Sequence, residues 1–182
     1  MKSLNVDEMS TWLLRSGWVS EILPFYPPKF SVPVKAYRGT CDAAGDVAAD
    51  MAEIVLSELA NANISGGLLV ITAIFPPAPA AVRVFTYFLA LHGIEGVDQN
   101  DYRFQFQDEP EALMAILTWC IACTWEFSFV SEGHRVAVTM DEEPDLTVYW
   151  AEEEAMHPKL DELLSNLEFK SIGDRPRSDG ER

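Results

Sequence analysis

Trp125-Glu126-Phe127-Ser128-Phe129-Val130, His134-Arg135-Val136-Ala137-Val138-Thr139-Met140 and Leu146-Thr147-Val148-Tyr149-Trp150 are three short runs with large apolar residues at every second position. Phe127 and Phe129 share one face, as do Val136, Val138 and Met140, and Leu146, Val148 and Trp150. A period of two is the signature of a strand with one face turned to a core. The runs are joined by Ser131-Glu132-Gly133 and by Asp141-Glu142-Glu143-Pro144-Asp145, both rich in turn-forming residues. The reading is an antiparallel meander with one polar side.

Upstream, 109–124 has helical periodicity, with Pro110 in the first turn and Ala112, Leu113, Ile116, Leu117, Cys120 and Ile121 on a broad apolar side. Before it, 101–107 alternates: Tyr102, Phe104 and Phe106 against Arg103, Gln105 and Gln107. The run 68–75 is continuously apolar and β-branched, as a strand buried on both faces should be. It lies between two helices, 46–62 and about 79–92. The first buries Val47, Met51, Ile54, Val55 and Leu59. The second buries Val82, Phe85, Leu89 and in part Thr86, and Gly93 stops it. At the N-terminus, Asn5 or Asp7 caps a helix carrying Met9, Trp12 and Leu13, and Gly17 ends it. A short turn over 19–23 precedes the segment 24–33, whose four prolines exclude a helix or a central strand. A short strand is expected over 34–37, a loop over 39–45 and a last helix over 158–167. These elements define an α+β fold of two layers, with helices packed on one face of a mainly antiparallel sheet. A single domain spans 1–172, and a flexible tail follows over 173–182.

The chain has 182 residues and a formal net charge of −16. The excess is local. Residues 94–163 hold 17 acidic and 3 basic side chains, a net of −14, against 8 and 6 over 1–93 and 4 and 4 over 164–182. Such a field repels nucleic acid and anionic membranes and draws in cationic partners. It also serves solubility alone. No apolar run reaches the roughly 20 residues of a membrane span, and the first residues lack a signal-peptide core. Three cysteines, Cys41, Cys120 and Cys123, do not make a disulfide framework. The expected location is the cytoplasm.

Few residues carry recognisable chemistry. Trp119-Cys120-Ile121-Ala122-Cys123 resembles the Trp-Cys-x-x-Cys site of thioredoxin-like oxidoreductases. There the first cysteine opens a helix, and the helix dipole stabilises its thiolate. Here the helical pattern precedes the pair, which reads instead as thiols in or near the core. Tyr37-Arg38-Gly39-Thr40 resembles the first-strand element of arginine-type ADP-ribosyltransferases. The resemblance implies a nicotinamide dinucleotide held by Arg38 and a Glu-x-Glu pair such as Glu152-Glu153-Glu154. The family's Ser-Thr-Ser element has no counterpart. Asp141, Glu142, Glu143 and Asp145 lack the bend glycine of a calcium loop and read as a solvated turn. His92, His134 and His157 have no evident nucleophile partner. No metal site and no cofactor is implied, and no catalytic residue is assigned.

The acidic block therefore leads. It points to a protein-binding module that receives a basic partner on Asp141, Glu142, Glu143, Asp145, Tyr149, Glu152, Glu153 and Glu154, with both clusters gathered at one edge or end of the domain. An immunity-type inhibitor of a bacterial toxin is its most concrete form. Two alternatives stand beside it. One is an enzyme with scattered catalytic residues, such as a nucleotide-using transferase of ADP-ribosyltransferase type. The other is a structural or assembly subunit, a homodimer formed through aromatics at 24–30.

Overall fold

The structure, a computed structural model, describes residues 1–18, 34–40, 45–61, 66–73, 79–94, 102–132, 136–140, 145–151 and 170–172. In chain order the elements are β1 (Lys2–Ser3), α1 (Val6–Arg15), β2 (Val34–Thr40), α2 (Gly45–Asn61), β3 (Gly66–Ala73), α3 (Pro79–Leu91), β4 (Tyr102–Gln107), α4 (Pro110–Ala122), β5 (Glu126–Ser131), β6 (Val136–Met140), β7 (Asp145–Ala151) and β8 (Lys170–Ser171). All the strands join one sheet in the order β1-β4-β3-β5-β6-β7-β2-β8, antiparallel at every junction. The α+β class and the layer of helices on an antiparallel sheet are as the sequence predicts. The proline-rich segment, the helix expected over 158–167 and the tail lie outside the described residues.

Alternation sorts each strand's side chains between two cores. Leu69 and Ile71 of β3, Tyr102, Phe104 and Phe106 of β4, Phe127 and Phe129 of β5, Val136, Val138 and Met140 of β6, and Leu146, Val148 and Trp150 of β7 form one face. α2, α3 and α4 cover it with Ala48, Met51, Ala52 and Val55, with Phe85 and Leu89, and with the apolar side of α4. Phe85 is central to this core: its ring meets Tyr102 and Trp125 edge-on, with centroids 5.5 and 5.1 Å apart.

The opposite face differs from the solvated side expected of the meander. Leu68, Val70, Val130, Ala137, Tyr149 and Ala36 pack there against Leu4, Met9, Trp12, Leu13 and Trp18, so α1 lies on this second face. Trp18 Nε1 donates to the carbonyl of Ser131 at 2.9 Å and ties the end of α1 to β5. Asn5 caps α1 through a capping box, accepting from the Glu8 amide while the Glu8 carboxylate accepts from the Asn5 amide.

Two features were not expected. The two-residue edge strands β1 and β8 are too short for periodicity to reveal. β2 also runs on to Thr40, where a loop was predicted from Gly39, because Gly39 and Thr40 stay in register with Leu146 and Asp145 of β7.

Three helices end alike. After α1, α3 and α4, the amides of Trp18, Ile94 and Trp125 reach back to the carbonyls of Leu13, Leu89 and Cys120, and those of Gly17, Gly93 and Thr124 to Leu14, Ala90 and Ile121. This is the Schellman arrangement, which places one residue in left-handed conformation and an apolar residue after it. Gly17 and Gly93 occupy that place at φ 81° and 73°; after α4 it falls to Thr124 at φ 52°.

Candidate functional site

Strand direction decides where the carboxylates go. β4, β5 and β7 run the same way through the sheet, each separated from the next by one antiparallel strand, β3 or β6. The residues after all three therefore leave the sheet at one end. Asp108, Glu109 and Glu111 follow β4, Glu132 follows β5, and Glu152, Glu153 and Glu154 follow Ala151 at the end of β7. With neighbouring strands about 4.8 Å apart, the three exits are spaced by roughly 10 Å across the sheet.

Asp145 begins β7 and so sits at the other end, with Glu126 at the start of β5. A seven-residue strand is about 20 Å long. The chain thus departs toward 152–154 from the end opposite Asp145. The sequence reading has the clusters converging on one edge or end of the domain; Asp145 and Ala151, the described residues next to two of them, lie at opposite ends of β7. Asp141, Glu142, Glu143, Glu152, Glu153 and Glu154 themselves lie outside the described residues.

Tyr149 requires a correction. It was expected among exposed partner-binding residues, but it is 5 % exposed and packs in the core beneath α1. Its position in β7 turns it to the face that α1 covers. Trp150, on the other face, is also buried.

Near the first end, the acids differ in use. Asp108 has φ 54°, a left-handed turn that aspartate tolerates, and it reverses the chain from β4 into α4. Pro110 opens the helix, and Glu109 at the cap makes no capping hydrogen bond. Its carboxylate instead accepts from the N-terminal ammonium of Met1. Desolvation lowers the pKa of that ammonium. Asp108 and Glu111 are exposed and Glu132 is half-buried. In the sequence Asp108, Glu109 and Glu111 belong to the acidic block at a helix start, and Glu132 to a turn. The missed signal was direction: α4 returns the chain across the sheet, so β5 repeats the direction of β4.

The second face carries another polar feature. Lys170, Arg38, Thr147, Thr139, Ser128, Val70 and Arg103 stand opposite one another across β8, β2, β7, β6, β5, β3 and β4. This row lies one pleat from the apolar row that α1 covers. Arg38 Nε donates to Thr147 Oγ1 at 3.2 Å. Thr72 Oγ1 lies 3.4 Å from both the carbonyl and the carboxylate of Glu126. Tyr37-Arg38-Gly39-Thr40 thus lies inside a paired strand, with Tyr37 in one core and Arg38 on the opposite face.

The cysteine pair behaves as core. Cys120 is buried and Cys123 partly so; both are free thiols. Desolvation raises the Cys120 pKa well above its ordinary value, with a smaller push from Cys123, and desolvation also raises that of Cys123. A thiolate nucleophile needs the reverse. Among the described residues, no group of three or more His, Cys, Asp or Glu is placed to hold a metal ion. Among those same residues, no helix is long and apolar enough to cross a membrane. Compared with known proteins, the chain matches no family model, no curated protein and no solved structure.

Proposed function

We propose that this chain is a protein-binding module that receives a cationic protein on carboxylates at one end of its sheet, an immunity-type inhibitor of a basic toxin or enzyme being the most concrete form. The observation that carries the reading is the common direction of β4, β5 and β7, joined to the net charge of −14 over residues 94–163. Asp108 and Glu111, Glu132, and Glu152 to Glu154 follow three strands of one paired sheet. Short segments on a rigid scaffold are where binding residues gather. Carboxylates held in this way steer a basic partner and fix its register. Asp145 and Glu126 begin β7 and β5 at the other end of the sheet, and their charge adds to the long-range field.

The test compares neutralising substitutions with a lysine-rich probe protein. Glu152→Gln, Glu153→Gln and Glu154→Gln together are expected to weaken binding at least about 10-fold at low salt. Asp50→Asn with Glu53→Gln removes exposed charge from α2 and is expected to change it less than about 3-fold. Equal losses from the two variants would reduce the acidic block to a general solubility device.

A further inference from the structure

α3 turns a second apolar stripe outward. Phe85 and Leu89 fill the core, while Val84, Tyr87 and Leu91 on its outer side are 51 %, 67 % and 68 % exposed. Positions i, i+3 and i+7 make a continuous helical ridge. Isolated exposed apolar residues are ordinary; three along one ridge of a short helix offer a continuous apolar strip to a partner. The surroundings are equally unusual for this chain, because residues 59–94 contain no Asp or Glu.

The charge pattern selects the occupant. α3 has no acidic residue in its first turn and no basic residue in its last. The dipole, about half a unit charge at each end, is thus uncompensated by side chains. Arg83, the one charged residue of the helix, is its fifth residue, just past the first turn. Among the described residues 79–94 a cationic partner finds no carboxylate, and an anionic one is repelled by the net charge. A second α3 laid antiparallel corrects every term at once. Each positive end meets a negative end, Val84 faces Leu91 of the second copy, and Arg83 comes beside the C-terminus of the opposing helix. The acid-free stretch is also where two copies of net charge −16 can approach at least electrostatic cost.

We infer that two copies of this chain associate through α3 in an antiparallel, two-fold helix pair built on Val84, Tyr87 and Leu91. One helix pair falls below the roughly 1,200 Å² of a stable interface, so weak association, roughly 10–100 µM, is expected. This surface is separate from the acidic end, and salt distinguishes the two: screening relieves repulsion between copies but weakens capture of a cation.

Sedimentation velocity on the full chain over about 5–500 µM, at low and high salt, tests the inference. The expected result is a concentration-dependent shift from monomer to dimer that salt strengthens. Tyr87→Glu and Leu91→Glu are each expected to leave a monomer of unchanged far-ultraviolet circular dichroism, since both side chains are already in water. Arg83→Glu is expected to weaken the dimer about two- to five-fold. A monomer at every concentration and salt overturns the proposal. So does a dimer that survives Tyr87→Glu and Leu91→Glu.

Discussion

The two faces of the sheet are filled in different ways. Under α2, α3 and α4 lie Phe, Trp, Leu and Val, drawn from every strand between β4 and β7. On the α1 face the inward residues are smaller or polar: Ala36 and Ala137 sit among Leu68, Val70, Val130 and Tyr149, and Ser128 and Thr147 are buried in the neighbouring row. Among the described residues, three helices seal one face and the other carries one ten-residue helix. The first determines whether the chain folds. On the second, α1 is expected to open at lower cost than the sheet beneath it.

The sharpest way to break that contrast is on adjacent residues of β5. Phe129→Ala, on the three-helix face, is expected to cost about 3–5 kcal/mol, whereas Val130→Ala, on the α1 face, costs roughly 1–2 kcal/mol. Urea denaturation measures both. Equal costs would show that the faces are energetically alike. Gly67→Ala belongs with the larger class, because an added Cβ would stand 2.5 Å from the Phe129 ring and 3.1 Å from the Val130 carbonyl. Leu13→Ala is expected to cost about 2–4 kcal/mol. Hydrogen exchange should then quicken over α1 and leave β3 and β5 protected; uniform quickening would make α1 part of the main cooperative unit.

Smaller effects separate the helix ends. Thr124 is β-branched and left-handed where Gly17 and Gly93 stand in the matching places. Thr124→Gly is therefore expected to stabilise by about 1 kcal/mol, read as a rise in thermal midpoint. Asn5→Ala removes the α1 cap and is expected to cost about 1 kcal/mol. Trp125 and Trp150 bury indole N–H groups that have no hydrogen-bond partner among the described residues. Trp150→Phe removes one such donor, so its loss of apolar area is offset and the net change stays within about 1 kcal/mol.

The pH dependence follows from Cys120. The unfolded thiol ionises near its ordinary value of 9.0, whereas burial holds the folded thiol protonated to higher pH. Above that value the unfolded state therefore binds fewer protons than the folded one. The contribution to stability is full below pH 9 and is lost as pH rises through the raised pKa. Cys120→Ala should flatten the alkaline limb of a stability–pH curve, and an unchanged limb would assign the loss to other groups.

Much of the fold is written in short-range pattern. The alternation in 102–107 and in the meander, the continuous apolar run of β3, Pro110 and Gly93 are all local signals, and the elements fall within a residue or two of them. The seat of α1 was not legible, because Met9, Trp12 and Leu13 show that a helix has an apolar side but not which face of a sheet receives it. The proposed acidic end was half legible. Charge density is a property of composition, but its location depends on strand direction. That direction depends on α4 crossing back between β4 and β5. Tyr149 was misread for a related reason: standing between two acidic clusters in sequence says nothing about which way a strand residue points.

The most direct test is to map the amides that respond when the lysine-rich probe is titrated into isotopically labelled chain. Binding at the acidic end predicts shifts at Asp108, Glu111, Glu132 and Glu152 to Glu154 that disappear with salt, and none at Asp50 or Glu53 of α2. Shifts of equal size on α2, or spread evenly over the surface, would contradict it.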